Sequence, residues 1–154
     1  MMQVRRAEPD EAASVTAVIH AAFAPYRGKL VPESSAHDET VATVAKKMAN
    51  GGAVVAEESS CMLGASLFEV EGDALYIGRL AVLPEARRRG VAVLLVDAIE
   101  RIAREEGRAR LTLGVRLVLD DNIRLFTRLG FRETGRTSHP GFTVLTSMDM
   151  EKRL

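Results

Sequence analysis

Three consecutive arginines, Arg87, Arg88 and Arg89, precede Gly90 where the chain turns helical. Cations at a helix N-terminus oppose the positive pole of the macrodipole, by about 0.3–1 kcal/mol each near the surface. An anion seated at the same place reverses the sign. First-turn N–H groups have no intrahelical acceptor, and with the dipole they form an anion site. Gly90 has no Cβ and Ala92 only a methyl, so a phosphate can approach the main chain closely. Three guanidiniums would add charge and fork-shaped donors for its oxygens. Taken alone, the run also reads as a basic solvated loop before an ordinary core helix. It matches neither the dinucleotide pattern G-x-G-x-x-G nor the P-loop pattern G-x-x-x-x-G-K-[ST].

Other side chains with chemistry are sparse. Cys61 is the single cysteine, so an intramolecular disulfide is impossible and no metal-ligand spacing surrounds it. It reads as a small apolar strand residue rather than a reactive thiol. The three histidines, His20, His37 and His139, form no metal-binding pair at short helical spacing. His139 lies in the turn "SHPGF", where it serves either as a turn residue or as a base suited to neutral pH. There are two tyrosines, Tyr26 and Tyr76. Arg79 interrupts the apolar run "LYIGRLAV". A charge in a central strand is expensive unless paired, so Arg79 has either an internal carboxylate or a bound anion as its partner.

These residues need elements to hold them. "VRRA" (4–7) reads as a first strand, and Asp10 as the cap of a helix running to Phe23. "APYRGKLVPESSAH" is a loop long enough to be functional or mobile, and it holds Tyr26 and Arg27. "DETVATVAKKMANGG" reads as a second helix stopped by Gly51 and Gly52. Strands follow at 53–57, 61–70 and 74–82, the last mostly apolar and expected at the centre of a sheet. Val91, Leu94, Leu95, Ala98, Ile99 and Ile102 give the strongest helical periodicity in the chain, ended by Gly107. "RLTLGV" (110–115) is the next strand, and Arg116 ends it. Asn122 caps a short helix closed by Gly130, and "FRETGR" and "FTVLTSMDM" finish as strands. The order β-α-α-β-β-β-α-β-α-β-β predicts an α/β (α+β) fold with one parallel strand–helix–strand crossover.

The chain has 154 residues, which fits one domain over 1–154 with a real core. Hydrophobic residues are 47% and charged residues 27%, as in ordinary globular proteins. Lys+Arg and Asp+Glu are both 21, so neither nucleic acid nor an anionic membrane is indicated as a partner. No run of about 18 apolar residues suggests a membrane helix, and "MMQVRRAEPD" lacks the apolar core of a signal peptide. A cytoplasmic location is the expectation.

The stretch "RLAVLPEARRRGVAVLLVDAIERIAREEG" resembles the acyl-CoA-binding motif of the GNAT N-acetyltransferases. Its parts are Leu80-Ala81-Val82, Pro84, Arg87-x-x-Gly90-x-Ala92 and the long helix. "DDNIRLFTRLGF" resembles the family's second signature, an Asn-capped helix, an aromatic and a closing Leu-Gly-Phe. The resemblance covers essentially the whole chain. It implies a mixed, mostly antiparallel sheet of six to seven strands flanked by about four helices, and acetyl-CoA as co-substrate with no metal.

It also implies roles. Arg88 to Val93, Val91 included, would offer N–H groups to the pyrophosphate. The pantetheine arm would pair with Leu80-Ala81-Val82 in a splay between that strand and 110–115, with a free N–H near Val82 polarising the thioester carbonyl. Asn122 would reach the pantetheine or a bound water, or act as a plain N-cap. Many relatives carry a Tyr where this chain has Phe126, which can pack beside the pantetheine but donates no proton. Tyr76 shares strand parity with Leu80 and Val82, near where some relatives keep a base. It is a replacement catalytic group or a half-buried strand aromatic, and His139 is the other catalytic candidate. Tyr26, Arg27, Arg79 and Arg116 would line the acceptor side, and two converging arginines would suit a carboxylate or phosphate on the acceptor. The implied reaction is attack of a primary amine, of a small molecule or peptide, on the thioester. A non-catalytic acyl-CoA-binding module is the alternative. Family habit adds a homodimer to what the resemblance implies.

Overall fold

The computed structural model describes residues Met1–Leu154. Its elements are β1 (Gln3–Arg6), α1 (Ala12–Phe23), α2 (Val41–Ala49), β2 (Gly51–Glu58), β3 (Cys61–Glu71), β4 (Ala74–Val82), α3 (Val91–Glu105), β5 (Arg110–Arg116), α4 (Asp120–Arg128), β6 (Arg132–Thr137) and β7 (Ser147–Arg153). Type and order follow the hydrophobic pattern, while several ends differ from it. Asp10 does not cap α1. Pro9–Glu11 forms a 3-10 turn closed by a capping box between Glu8 and Glu11, and α1 starts after it. Gly51 and Gly52 do not stop α2, which ends at Ala49 with Asn50 as its cap. Both open β2, and a Cβ on Gly51 would collide with the Phe68 carbonyl of β3. Asn122 is not the cap of α4 either. The helix begins at Asp120 after Leu119, because Asp120 and Asp121 in the first turn complement its dipole. Phe142 to Thr146 lie outside β7.

The seven strands form one sheet in the order β1-β2-β3-β4-β5-β7-β6. β4 and β5 are parallel, and the remaining neighbours are antiparallel. Strand alternation divides the apolar residues between two faces. One face packs Leu75, Ile77, Leu111, Leu113, Met148 and Met150 against α3 and α4. The opposite face packs Ala53, Val55, Ala65 and Leu67 against α1 and α2. That second cluster draws no residue from β5, β7 or β6, so helices cover only half of this face.

Helix α3 is held by Val91, Leu95, Val96, Ile99 and Ala103, all buried. Each of the four larger aliphatics, Val91, Leu95, Val96 and Ile99, contributes about 1.5–3 kcal/mol by burial. Leu94, grouped with the core by periodicity, is 40% exposed. The first turn sits close to β3 because Gly64 has no side chain. A Cβ there would stand 2.8 Å from Val91 Cγ1 and 2.9 Å from the Ala81 carbonyl oxygen.

Strand β4 carries two irregularities. Ala81 pairs with Ala65 and Gly78 with Leu67, so Arg79 and Leu80 together face the single residue Ser66. This is a β-bulge, with Arg79 at φ +50°. An extra residue reverses the alternation beyond it. Leu80 and Val82 therefore pack on the α3 side and Ala81 on the α1 side. Tyr76 does not share a face with Leu80 and Val82, contrary to simple parity. The second irregularity is a fork. The β4–β5 pairing ends at Ile77 opposite Leu113, while β4 continues to Val82 and β5 to Arg116.

Candidate active site

A cleft of about 1310 Å³ passes through this fork. One end lies at the N-terminus of α3, bounded by Arg88, Gly90, Ala92 and Val93. The other opens over the uncovered half of the sheet, bounded by Tyr76, Arg116, His139 and Asp149.

The α3 end is built from main chain. Arg88 has φ +63° and Gly90, the N-cap, φ +76°. Alternating hands of this kind turn successive N–H groups into one concavity. The N–H groups of Arg88, Arg89 and Gly90 meet no acceptor in the chain, and the first-turn donors of Val91, Ala92 and Val93 precede the bond from Leu94 to the Gly90 carbonyl. The arginine side chains behave differently from the sequence expectation. Arg87 donates to the Ala22 carbonyl at 3.0 Å and lies 5.8 Å over the Tyr26 ring. Arg89 pairs with Glu58 at 2.8 Å. Arg88 is exposed and is the guanidinium of the three without a side-chain partner. The concavity's donors are therefore mainly backbone, and Arg87 braces the end of α1.

The fork walls are Leu80 and Val82 on one strand and Leu113 and Val115 on the other. Leu83 donates to the Leu63 carbonyl at 2.9 Å. By antiparallel alternation the Val82 N–H then faces away from β3, toward the fork. Phe126 is buried and packs edge-on against Phe131 with centroids 5.8 Å apart. Asn122 lines the same cleft, its side-chain amide unpaired within the chain.

On the open side, Arg79 does not serve an external anion. Its Nε meets Glu39 Oε2 at 2.7 Å and an Nη donates to Ser35 Oγ at 2.8 Å. Glu39 is 3% exposed and also binds Lys47, and it accepts from Thr43 Oγ1 at 2.6 Å. Burial alone would raise its pKa. The bonds from Lys47, Thr43 and Arg79 prevail and hold it at about 2. Glu39 is not legible as a site residue in the sequence, since the turn that carries it shows nothing of a strand 40 residues away.

Tyr76 reaches the fork by lying over Gly78, whose virtual Cβ is 3.4 Å from the ring. Burial raises its pKa; the Arg79 charge opposes this, and the carboxylates of Glu71, Asp149 and Glu69 add to it. The phenol is a proton donor at neutral pH. Arg116 donates to the Glu33 carbonyl at 3.3 Å, and burial lowers its pKa. His139 contacts Thr146 Oγ1 through Nδ1, and burial followed by Arg116 lowers its pKa. Arg27 is exposed and outside the cleft, so no pair of free arginines converges. Cys61 is exposed at the start of β3. Asp149 is a further site residue that the motifs do not reveal. The alternation in "SMDMEK", with Met148 and Met150 buried, is the signal that places it on the open face.

The matches to known proteins agree with this geometry. Ribosomal-protein-S18-alanine N-acetyltransferase from Escherichia coli is 20% identical with a TM-score of 0.79, over 99% of this chain and 94% of that one. PaiA N-acetyltransferase from Thermoplasma acidophilum, solved with coenzyme A, is 15% identical with a TM-score of 0.83, over 100% and 99%. YncA from Salmonella typhimurium, solved with its cofactor acetyl-CoA, is 20% identical with a TM-score of 0.75, over 99% and 94%. These likenesses establish the fold. The sequence profile of the acetyltransferase (GNAT) family matches residues 16–131, three quarters of the chain, and the protein belongs to that family.

Proposed function

We propose that the protein is an N-acetyltransferase that moves the acetyl group of acetyl-CoA to a primary amine of a small molecule or peptide. The observation that carries this is one continuous cleft, with unpaired main-chain donors at one end and the unpaired side chains of Tyr76 and Asp149 at the other. The N–H groups of Arg88 to Val93 would hold the pyrophosphate. The free edge at Leu80 to Val82 would align the pantetheine arm, with Asn122 and Phe126 beside it. Bound there, acetyl-CoA supplies an acyl group activated as a thioester. The Val82 N–H would polarise its carbonyl, an effect worth about 10²–10³ in rate for one well-placed donor.

Tyr76 takes the role of proton donor at the departing sulfur, which Phe126 cannot fill. His139, with its pKa lowered, is neutral at pH 7 and is the second candidate for proton transfer, farther from the fork. Tyr26 walls the cleft, and Arg116 is the cation available to an acceptor anion. No helix is long and apolar enough to cross a membrane, and the reading puts the enzyme in the cytoplasm as one domain, with a homodimer as its assembly.

The test is free-thiol release from acetyl-CoA with a panel of amino acids, polyamines and peptides with free N-termini, beside calorimetry with acetyl-CoA. Turnover with at least one amine is expected. Binding without turnover would identify a non-catalytic acyl-CoA module, and absence of both would overturn the proposal.

A further inference from the structure

Asp149 is a half-buried carboxylate with no hydrogen bond or ion pair inside the chain, facing the open end of the cleft. Its two neighbours across the sheet are glycines, Gly114 on β5 and Gly135 on β6. A Cβ on Gly114 would stand 3.8 Å from both Asp149 Oδ1 and Tyr76 Oη, with nothing closer. A Cβ on Gly135 would stand 3.8 Å from Asp149 Oδ2. Glycine inside a strand weakens it and marks places where another group comes close to the backbone. Here two of them clear both oxygens of one carboxylate. Gly114 is also the first β5 residue beyond the last β4–β5 pair, so the recess lies at the apex of the fork.

We infer that this recess receives the amino group of the acceptor, and that Asp149 binds the primary ammonium and takes a proton from it during transfer. The inference rests on the acetyltransferase reading and adds a residue to it. An –NH₃⁺ brings N–H donors that the free Asp149 oxygens can accept, and a quaternary ammonium brings none. At pH 7 an alkyl amine of pKa about 10.4 is almost wholly protonated, so a lone carboxylate at the open end of the cleft collects the acceptor as it exists in solution.

Two protons leave nitrogen. The first passes to solvent, freeing the lone pair. The nitrogen then bonds the acetyl carbon, the C–S bond breaks with its electron pair on sulfur, and Asp149 accepts the second proton. The thiolate takes one proton from Tyr76 or water, and Tyr76 recovers its own from Asp149. One proton is released overall and nothing is oxidised or reduced.

The experiment has two arms. In the first, wild type, Asp149→Asn and Gly114→Val are compared by calorimetry with acetyl-CoA and by kcat/KM with a working amine from the panel. Both variants should bind acetyl-CoA within twofold of wild type and lose at least about 100-fold in kcat/KM, with Asp149→Glu recovering part of the loss. In the second, the side-chain carboxyl carbon of Asp149 is followed by NMR, in the presence of coenzyme A, during titration with methylammonium and separately with tetramethylammonium. Methylammonium should move the signal and tetramethylammonium should not. Undiminished turnover in Asp149→Asn, or a signal that methylammonium leaves unmoved, would overturn the inference. A moving signal in a protein that acetylates no amine would instead overturn the catalytic reading and leave Asp149 as an amine-binding group.

Discussion

The two ends of the cleft are built on different principles. At the α3 end the donors are main-chain N–H groups whose direction follows from local conformation, Arg88 and Gly90 in the left-handed region and a helix starting immediately after. At the acceptor end every group is a side chain, and each comes from a different segment. Tyr76 is on β4, Arg116 on β5, Asp149 on β7 and Glu39 in the turn before α2. The first end requires a short stretch of chain to be right. The second requires the whole sheet and the 27–40 segment to be in place. Under the proposed function, the first design suits a cofactor fragment that does not vary, and the second would let acceptor choice change through single substitutions.

Four measurements probe that contrast, in descending order of effect. Tyr76→Phe keeps the ring over Gly78 and removes only the hydroxyl. If Tyr76 assists thiolate departure, kcat at saturating acetyl-CoA should fall about 10²–10⁴-fold. A rate within twofold of wild type would remove Tyr76 from proton transfer and leave water as the acid.

The second concerns the brace of the acceptor wall. Glu39→Gln leaves Arg79 and Lys47 without their shared carboxylate, and breaking a buried pair from one side costs about 3–5 kcal/mol. Thermal unfolding should register a loss of that order. The same group sets an acid limit. Its folded pKa is about 2 against an ordinary 4.5, so its stabilisation, about 3 kcal/mol, is complete above pH 4.5 and drains away as pH falls toward 2. Wild-type stability should decline through that window, and Glu39→Gln should lack this component. Parallel acid curves for the two proteins would show that Glu39 is dispensable to the wall.

The third tests the backbone end. A Cβ at Gly90 meets nothing within 4 Å, yet φ is +76°, where a β-branched residue is strongly disfavoured. Gly90→Val should distort the concavity and weaken acetyl-CoA binding at least tenfold, about 1.4 kcal/mol. Gly90→Asn tolerates the left-handed conformation and should lose less. Equal losses would mean that close approach of the ligand, rather than backbone conformation, makes glycine necessary. The smallest effect belongs to Arg116. If it meets an acceptor carboxylate, Arg116→Gln should erase a preference for acid over amide acceptors of about fivefold, about 1 kcal/mol. Acids and amides used equally by wild type would confine Arg116 to holding the Glu33 carbonyl.

Legibility divides along the same line. The order of strands and helices and the Gly90 helix start are readable because they depend on spacing within a few residues. The fates of Arg87 and Arg89 are not, since their partners Ala22 and Glu58 lie 65 and 31 residues away. Simple alternation puts Tyr76 on the wrong face relative to Leu80 and Val82 because it cannot reveal a bulge. The extra residue at Arg79 becomes visible only when β3 supplies the register.

From sequence alone came the α/β order, the start of α3 at Gly90 and the family resemblance, all consequences of local pattern that hold wherever the chain is placed. Tertiary structure alone decided that Arg79 is spent on Glu39 and that the sheet forks after Ile77. It also decided that Tyr76, Asp149 and the space above Gly114 meet at that fork. The reason is that side chains 30 or more residues apart become neighbours only through sheet register and packing, and neither is written in any short stretch of the chain.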